Sequence, residues 1–368
     1  MKIKVTSPGR VNLIGEHTDY NGGYVLPCAL DLTIDLFIEK KSNQSYVETD
    51  LGYSMSFNVN TAFKKSNKHW ENYVLGVINE LKQIKSELSN FSCSIKSTLP
   101  HGAGISSSSA LVCGLIKGLS ILNNLNLDNS EIINLSRNVE HNYIGLLGGI
   151  MDQFTILNAK KNTAILLDCE KLYSKFIKLE FKEYKLLLLD TNVKHNLANT
   201  EYNKRVSECN ESLQIINRLC KKNYANLSQV KRLDLSLSKE KLGETLYKRA
   251  SYILDENQRV INSVEFLENR KHKEFGQLMY ESHFGLKNYY EVSCKELDFL
   301  VEYSMNYEQI LGSRMMGGGF GGCTLSLIKE SLIDKYIREI KQEYFSKFKR
   351  KLNPIIANLN EGIQTSLN

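Results

Sequence analysis

A glycine- and serine-rich stretch at residues 100–110, PHGAGISSSSA, constrains the fold of this chain more than any other segment. The residues just before it, 91–97, alternate apolar with small or polar side chains, as a half-buried strand does. Apolar residues then recur at helical spacing through residues 111–122. The pattern predicts a tight loop that leads from a strand into the N-terminus of a helix.

The residue types in this loop are typical of an anion site. Unpaired N–H groups and the positive end of the helix dipole meet at a helix N-terminus. Because Gly102 and Gly104 lack a Cβ, the backbone there can approach a bulky anion closely. The serine hydroxyls can donate to phosphate oxygens or coordinate magnesium. No Gly-Lys-Ser/Thr sequence follows, so this is not a Walker A loop. It is either another kind of phosphate cradle or an ordinary turn with serine caps.

The overall composition limits the classes of protein to which the chain can belong. Its 368 residues suffice for two domains, and its net charge of +6 forms no basic stripe interleaved with aromatic residues, so we expect no nucleic-acid partner. The eight cysteines form no C-x-x-C pair, which argues against zinc and against a disulfide framework. No apolar run approaches the roughly 20 residues of a membrane span, and no apolar signal-peptide core opens the sequence. We therefore expect a cytoplasmic protein without a membrane partner.

Glycine is concentrated in a few segments. Fourteen of the 23 glycines fall within residues 9–23, 102–104, 145–149 and 317–322. Such clustering predicts several close backbone approaches to one ligand. The first cluster adds a dense set of polar side chains, namely Arg10, Asn12, Glu16, His17 and Asp19. They could offer acceptors to the hydroxyls of a polyol, or they could form a polar loop that satisfies its own backbone.

A lone carboxylate follows the third glycine cluster. Asp152 stands among apolar and glycine neighbours, where a carboxylate in a partly desolvated cleft would lie. It could equally cap a helix. Glu140 lies near the end of the helix that begins at about residue 129.

The remaining pattern is mixed, with strands at residues 25–40, 46–59, 164–167, 185–190 and 323–328 and a helix at residues 72–85. Residues 191–199 have the polar character of a linker, so we place a domain boundary there, with domains at residues 1–190 and 191–368. The second domain is expected to be mainly helical, over residues 201–222, 238–270, 273–287 and 293–305, with most of the helix charge on solvated faces.

Three of these segments, in this order, resemble the motifs of the galacto-, homoserine, mevalonate and phosphomevalonate kinases (the GHMP kinases). Residues 9–20, GRVNLIGEHTDY, resemble the galactokinase signature, residues 100–110 the second motif of the superfamily, and residues 317–323 the third. Matching segments run from residue 8 to about residue 323. Met316 in place of threonine and the order Ser109-Ala110 are mild departures that remove no residue assigned to chemistry. The first motif is the most specific and points to the galactokinase branch.

The resemblance implies an α/β (α+β) fold of two domains with the active site in the cleft between them. It implies ATP-dependent phosphorylation of D-galactose at its C1 hydroxyl, which gives galactose 1-phosphate and ADP, the first committed step of galactose use through the Leloir pathway. The implied cofactors are ATP and Mg²⁺, and we expect a monomer.

The resemblance also implies roles for individual residues. Asp152 matches the catalytic base, and Arg10 matches the cation that keeps it ionised and stabilises transition-state charge. The implied sugar contacts are Glu16, His17, Thr18, Asp19, Gly149, Asp152 and Tyr202. The implied contacts of ATP are Gly102, Ala103, Gly104, Ile105, Ser106, Ser107 and Ser108, with Trp70 near the adenine. The implied ligands of Mg²⁺ are Ser108 and Glu140.

Two other functions are compatible with the same motifs. The first is a kinase for a related sugar such as N-acetylgalactosamine. The second is a sensor that binds galactose and ATP without turnover, although the uninterrupted serine loop and the presence of both Arg10 and Asp152 favour an enzyme.

Overall fold

Three β-sheets with helices packed against them form the part of the chain that the structure, a computed structural model, describes: residues 2–100, 102–193 and 198–367. His101 of the predicted loop and residues 194–197 of the predicted linker lie outside these ranges. The strands are β1 (Lys2–Asn12), β2 (Tyr24–Val25), β3 (Pro27–Lys40), β4 (Ser45–Thr49), β5 (Ser54–Phe57), β6 (Phe91–Ser97), β7 (Thr163–Asp168), β8 (Tyr173–Lys178), β9 (Tyr184–Asp190), β10 (Ile310–Met315), β11 (Cys323–Lys329), β12 (Asn353–Ala357), β13 (Leu359–Asn360) and β14 (Gln364–Leu367). The helices are α1 (Glu71–Ile84), α2 (Ser107–Leu122), α3 (Asn129–Val139), α4 (Met151–Asn158), α5 (Ala198–Cys220), α6 (Arg232–Leu237), α7 (Lys239–Glu268), α8 (His272–Gly285), α9 (Lys295–Ser304) and α10 (Ile333–Phe348).

The largest sheet is built mainly from strands of the first hundred residues. Its strands run in the order β14-β1-β3-β6-β4-β5, with β13 paired to β3, and only the β4–β6 pair is parallel among the pairings described. Helix α2 packs across β1 and β3. A Cβ on Gly114 or Gly118 would overlap Leu36 or Ile38 of β3, so these two glycines let α2 lie close to the sheet. Since α2 begins at Ser107, this packing fixes the serine-rich loop relative to β1.

The second sheet is antiparallel and runs in the order β10-β11-β9-β12. It combines β9, which precedes residue 191, with three strands from the second half of the chain. Conversely, β13 and β14 return to the first sheet, where Leu367 pairs with Ile3. The division into residues 1–190 and 191–368 therefore remains a proposal, and the strand pairings favour a boundary that assigns β9 to the C-terminal unit. The third sheet joins β2, β7 and β8.

The structure confirms the mixed α/β class and most predicted elements, with some differences. Residues 2–12 form a long strand, whose C-terminal part overlaps the segment that could have been a polar loop. The elements β8, β10, β12, β13, β14, α6 and α10 had no predicted counterpart. Two charged residues of the long helix α7, Arg249 and Glu256, are buried and are exceptions to the expectation that most of its charge lies on a solvated face. None of the helices in the described ranges combines the length and apolar character that crossing a bilayer requires.

Candidate active site

The three glycine-rich motifs meet at one cavity of about 240 Å³. Its walls come from β1 and the turn after it, the N-termini of α2 and α4, the start of α5, and the turn after β10. It is lined by Arg10, Glu16, His17, Asp19, Ser108, Ser109, Glu140, Leu146, Gly148, Gly149, Met151, Asp152, Gln153, Tyr202, Gly317, Gly318 and Gly319. Glycines of two predicted clusters, residues 145–149 and 317–322, line this cavity together, whereas the clusters at residues 9–23 and 102–104 bring only neighbouring side chains to it.

Arg10 and Asp152 form a two-pronged ion pair in this cavity. Arg10 Nε lies 2.7 Å from Asp152 Oδ1, and Arg10 Nη2 lies 2.8 Å from Oδ2. The third nitrogen, Nη1, donates to the carbonyl of Gly104 at 2.7 Å, and the Ser106 hydroxyl donates to Asp152 Oδ2. Burial acts to lower the pKa of Arg10, but the charge and hydrogen bonds of Asp152, helped by Glu16 and Asp19, raise that pKa overall. The pair thus joins β1, the serine loop and α4 at one point.

The serine loop turns sharply on its glycines. Gly102 and Gly104 have φ values of 76° and 74°, in the left-handed region that favours glycine. Between and after them, Ala103 and Ile105 are buried in the core and anchor the loop. The backbone of Ser106 is also in the left-handed region. Its hydroxyl donates a hydrogen bond to Asp152 and does not cap α2. The first N–H groups of α2 consequently have no side-chain cap, and Ser108 faces the cavity.

Asp19 lies against the backbone of Gly149. A Cβ on Gly149 would overlap the Asp19 carboxylate, so glycine is required for this approach. Burial, followed by the negative charge of Asp152, raises the pKa of Asp19 to about 6. A hydrogen bond from the Tyr20 backbone and the charge of Arg10 oppose the shift.

Glu16 lines the same cavity, but its carboxylate is already engaged by protein groups. Oε1 accepts from Arg314 Nη1 at 3.2 Å and from the Gly317 backbone N–H at 2.9 Å, and Oε2 accepts from Asn12 at 3.1 Å. Glu16 therefore connects the first motif to the third through a buried ion pair with Arg314. This contact differs from the sugar contact that the resemblance implies for its side chain.

His17 is enclosed by tyrosines. Its ring centroid lies 4.9 Å from that of Tyr290 and 5.2 Å from that of Tyr202, and Nδ1 lies 2.8 Å from the Tyr20 hydroxyl. Burial, followed by the positive charge of Arg205, lowers the pKa of His17 to about 3, so the ring is neutral near pH 7.

Glu140 follows α3 in a π-helical turn and points into the cavity. Its Oε1 accepts from the Ser109 hydroxyl at 2.6 Å, so the serine that contacts Glu140 is the neighbour of Ser108. Burial raises the pKa of Glu140 to about 7, while the Ser109 hydrogen bond opposes that shift. The adjacent Gln153 also faces the cavity.

Some residues singled out in the sequence do not reach this cavity. The Thr18 hydroxyl donates to the carbonyls of Gly15 and Tyr24, at 2.8 and 2.6 Å, and so holds the turn. Trp70 precedes α1 and packs beside Tyr53 with ring centroids 5.9 Å apart. Of the proposed ATP contacts in the serine loop, only Ser108 lines the cavity, whereas Gly102, Ala103, Gly104, Ile105, Ser106 and Ser107 do not.

The structure also adds residues that the sequence analysis did not assign. Ser109, Leu146, Gly148, Met151 and Gln153 line the cavity, as do the third-motif glycines 317–319. Their neighbours in the sequence were all singled out, so proximity to a motif was the available signal. Two contacts of the first motif gave no signal, namely those of Glu16 with Arg314 and of the Gly15 backbone N–H with Glu256 at 2.9 Å, because a single charge in a strand or a charged helix looks ordinary in sequence.

Three segments of the chain match models of known protein families. Residues 2–40 match the galactokinase galactose-binding signature. Residues 72–160 match the GHMP kinases N terminal domain, and residues 263–347 match the GHMP kinases C terminal domain.

Full-length relatives agree with these matches. A galactokinase of Thermosipho africanus is 39% identical over 360 residues, which cover 98% of each chain. A galactokinase of Clostridium acetobutylicum is 37% identical over 364 residues, which cover 97% of this chain and 92% of the relative. Among solved structures, Lactococcus lactis galactokinase complexed with galactose superposes with a TM-score of 0.92 at 32% identity, covering 99% of this chain and 95% of that chain. A mevalonate kinase, at 20% identity and a TM-score of 0.67, shares the fold.

Proposed function

The chain belongs to the galactokinase family of the GHMP kinases and is an enzyme that phosphorylates galactose with ATP, and from this premise we propose where and how the phosphoryl group is transferred. The acceptor is the anomeric C1 hydroxyl of D-galactose, and the products are galactose 1-phosphate and ADP. The sugar occupies the cavity beside Asp19, Gly149 and Asp152, and the phosphates of ATP lie at the N-terminus of α2.

The observation that carries this proposal is the Arg10–Asp152 pair. Phosphoryl transfer depends on positioning the attacking hydroxyl and on stabilising charge at the transferred group. Asp152 is fixed by two hydrogen bonds from Arg10 and one from Ser106, so its carboxylate can orient a sugar hydroxyl and accept its proton. Arg10 supplies a fixed positive charge next to the reacting atoms. Asp152 is thus the proposed base and Arg10 the proposed transition-state stabiliser.

The uncapped N-terminus of α2 supports the proposed position of the ATP phosphates. Its free N–H groups and the helix dipole favour anions, and the glycines of the preceding loop leave the backbone open. Trp70 remains a proposed neighbour of the adenine.

The residues around Ser108 suit magnesium. Ser108 and Glu140 supply oxygen donors on the same cavity, and no group of three or more His, Cys, Asp or Glu residues that could hold a metal occurs in the described part of the chain. Mg²⁺ is commonly held by one or two protein oxygens together with substrate phosphates, so this sparse donor set fits. When bound, the ion would neutralise charge on the β- and γ-phosphate oxygens. We propose Ser108 and Glu140 as its protein ligands.

The contact between Gly149 and Asp19 gives a prediction for sugar binding. In Gly149→Ala the new methyl group would displace the Asp19 carboxylate, so we expect the KM for galactose to rise by on the order of tenfold to a hundredfold. Gly148→Ala is the matched control, because the nearest atom to its Cβ is Glu140 Oε2 at an ordinary 3.7 Å. Steady-state kinetics at saturating ATP would measure both. Equal KM values for the two variants would contradict the close approach.

The raised pKa of Asp19 gives a pH-dependence. If the ionised carboxylate accepts from a sugar hydroxyl, galactose affinity should be full above about pH 7 and fall as the pH drops through 6. With a pKa of about 6, we expect affinity at pH 5 to be lower by about tenfold. Titration calorimetry with galactose alone, from pH 5 to 8, would measure this change. Asp19→Asn should bind more weakly with little pH-dependence, and a wild-type profile that is flat over this range would contradict the role.

The test of the proposed function is an ADP-release assay with Mg-ATP and a panel of sugars. D-galactose and 2-deoxygalactose should be turned over, whereas 1-deoxygalactose, which lacks the C1 hydroxyl, should only inhibit. Preference for N-acetylgalactosamine would change the substrate and keep the mechanism. Galactose binding without any ADP release would indicate a sensor. We propose that the enzyme acts as a monomer in the cytoplasm, and light scattering after size-exclusion chromatography would check its mass in solution.

A further inference from the structure

A chain of four hydrogen-bonding side chains, one half-buried and three buried, runs from the cavity into the C-terminal half of the protein. His17 Nδ1 lies 2.8 Å from the Tyr20 hydroxyl, which lies 2.8 Å from the Tyr290 hydroxyl, which lies 3.0 Å from Cys209 Sγ. The four residues come from the first motif, the turn after α8 and helix α5. From this geometry we infer that Tyr20, Tyr290 and Cys209 are positioning residues that hold His17 in its Nε2–H tautomer, so that the ring presents a hydrogen-bond donor to the sugar. The inference rests on the proposed sugar site.

Each member of the chain carries one proton near neutral pH. Burial keeps the pKa of both phenols well above its usual value and raises the pKa of the Cys209 thiol to about 11. His17 is neutral, so one ring nitrogen is a donor and the other an acceptor. The direction of donation along the chain therefore determines the tautomer.

The two possible directions are not equivalent. The Cys209 thiol is weak both as a donor and as an acceptor, so the preference depends on the other end of the chain, where the unprotonated imidazole nitrogen is a good acceptor. Donation from Cys209 towards His17 places the strong phenol donor of Tyr20 on Nδ1. In that direction Nε2 carries the ring proton.

The state of Nε2, the other ring nitrogen of His17, supports the inference. This nitrogen is buried, and no group in the described residues is in hydrogen-bonding geometry with it, while His17 lines the cavity. A buried donor without a partner is costly, so a ligand oxygen that accepts from it would be bound favourably. When it is ionised, Asp19 on the same cavity accepts hydrogen bonds and cannot donate them. A hydroxyl both donates and accepts, so a donor from His17 together with an acceptor from Asp19 selects polyhydroxyl ligands.

The test is the ¹⁵N spectrum of the histidine rings in protein labelled at its seven histidines, without sugar or ATP. Long-range ¹H–¹⁵N correlation distinguishes the protonated ring nitrogen from the unprotonated one, and His17→Gln assigns the signals. We expect wild-type His17 to carry its proton on Nε2. A proton on Nδ1 would overturn the inference whatever the variants do, and this result does not depend on sugar binding.

Variants then test whether the chain sets the tautomer. In Tyr20→Phe the Nε2–H population should fall and the Kd for galactose should rise about fivefold to tenfold, with the Kd for Mg-ATP unchanged. Cys209→Ser keeps a donor at the end of the chain and should retain the wild-type tautomer. Tyr280→Phe removes another buried tyrosine hydrogen bond, to Ser304 at 3.0 Å, and should change neither the tautomer nor the affinity.

Each outcome of this series decides the inference. An unchanged His17 spectrum and galactose affinity in Tyr20→Phe would overturn it. If Tyr20→Phe does not fold, Tyr290→Phe should lower the Nε2–H population and raise the Kd for galactose by smaller amounts. No change in either quantity would overturn the inference. Wild-type protein with an Nε2–H ring that nevertheless binds no galactose would overturn the proposed function and leave the hydrogen-bond chain intact.

Discussion

Asp152→Asn should lower kcat for galactose phosphorylation by about a hundredfold to ten-thousandfold, which is the range that a positioned acid or base contributes. The amide cannot accept the hydroxyl proton, and it would direct an N–H group at either Arg10 or the sugar. Since Asp152 contacts Arg10 and Ser106 through hydrogen bonds that an amide oxygen can partly replace, we expect the Kd for galactose to change much less than kcat.

Rapid-quench measurement of the chemical step, together with calorimetry for galactose, would separate these two effects. Asp35→Asn is a matched control, because it removes another aspartate from an ion pair, with Lys4 at 2.8 Å, on the solvent side of the large sheet. Its kcat should equal that of the wild type. A near-normal kcat in Asp152→Asn would remove Asp152 from the mechanism, and an equal loss in both variants would indicate a general effect on the fold.

Arg314→Met should lower the free energy of unfolding by about 3–5 kcal/mol, as the loss of one partner from a buried ion pair does. Arg314 is fully buried, and its guanidinium contacts Glu16, the Asn12 carbonyl and the Ser282 hydroxyl. Its charge also helps to lower the pKa of the buried Glu256, after the larger effect of Arg259. Methionine fills much of the same volume but leaves Glu16 buried without its cation.

Denaturant unfolding of the wild type and the variant would measure the loss. The control Arg232→Met removes an exposed arginine from its ion pair with Asp255, and it should cost less than about 1 kcal/mol. Adding Glu16→Gln to Arg314→Met should restore part of the stability, because the uncompensated charge is then gone. A loss in Arg314→Met no larger than in the control would mean that the buried pair contributes little.

The parts of the fold and the site that could be predicted from sequence depend on local signals. The serine loop combines glycines that need positive φ with a helix start, and this pattern predicted its conformation correctly. Helices α1, α2 and α7 were predictable because their apolar faces repeat at helical spacing. That the segments holding the glycine clusters meet was predictable, because close backbone approaches need glycine, although only the clusters at residues 145–149 and 317–322 bring glycines to the cavity.

What could not be predicted depends on partners distant in the chain. Nothing near Glu16 in the sequence indicates that its carboxylate is bound by Arg314, and nothing near Cys209 indicates its contact with Tyr290. The strand at residues 2–12 was missed because its polar C-terminal part resembles a loop, although it is paired along both edges. The contacts of the Thr18 hydroxyl with the carbonyls of Gly15 and Tyr24 also had no signal, because they depend on how the turn folds back on itself.

The Glu16–Arg314 pair also bears on how the protein is made on the ribosome. The two residues are 298 positions apart, so at about 5–20 residues per second Glu16 emerges roughly 15–60 s before its cation is synthesised. During that interval the nascent N-terminal half has a carboxylate that it cannot bury without a partner, and the strand that completes the first sheet has not yet been translated. The early half should therefore stay loosely packed and accessible to chaperones. The sugar site should form only when the third motif arrives, late in translation.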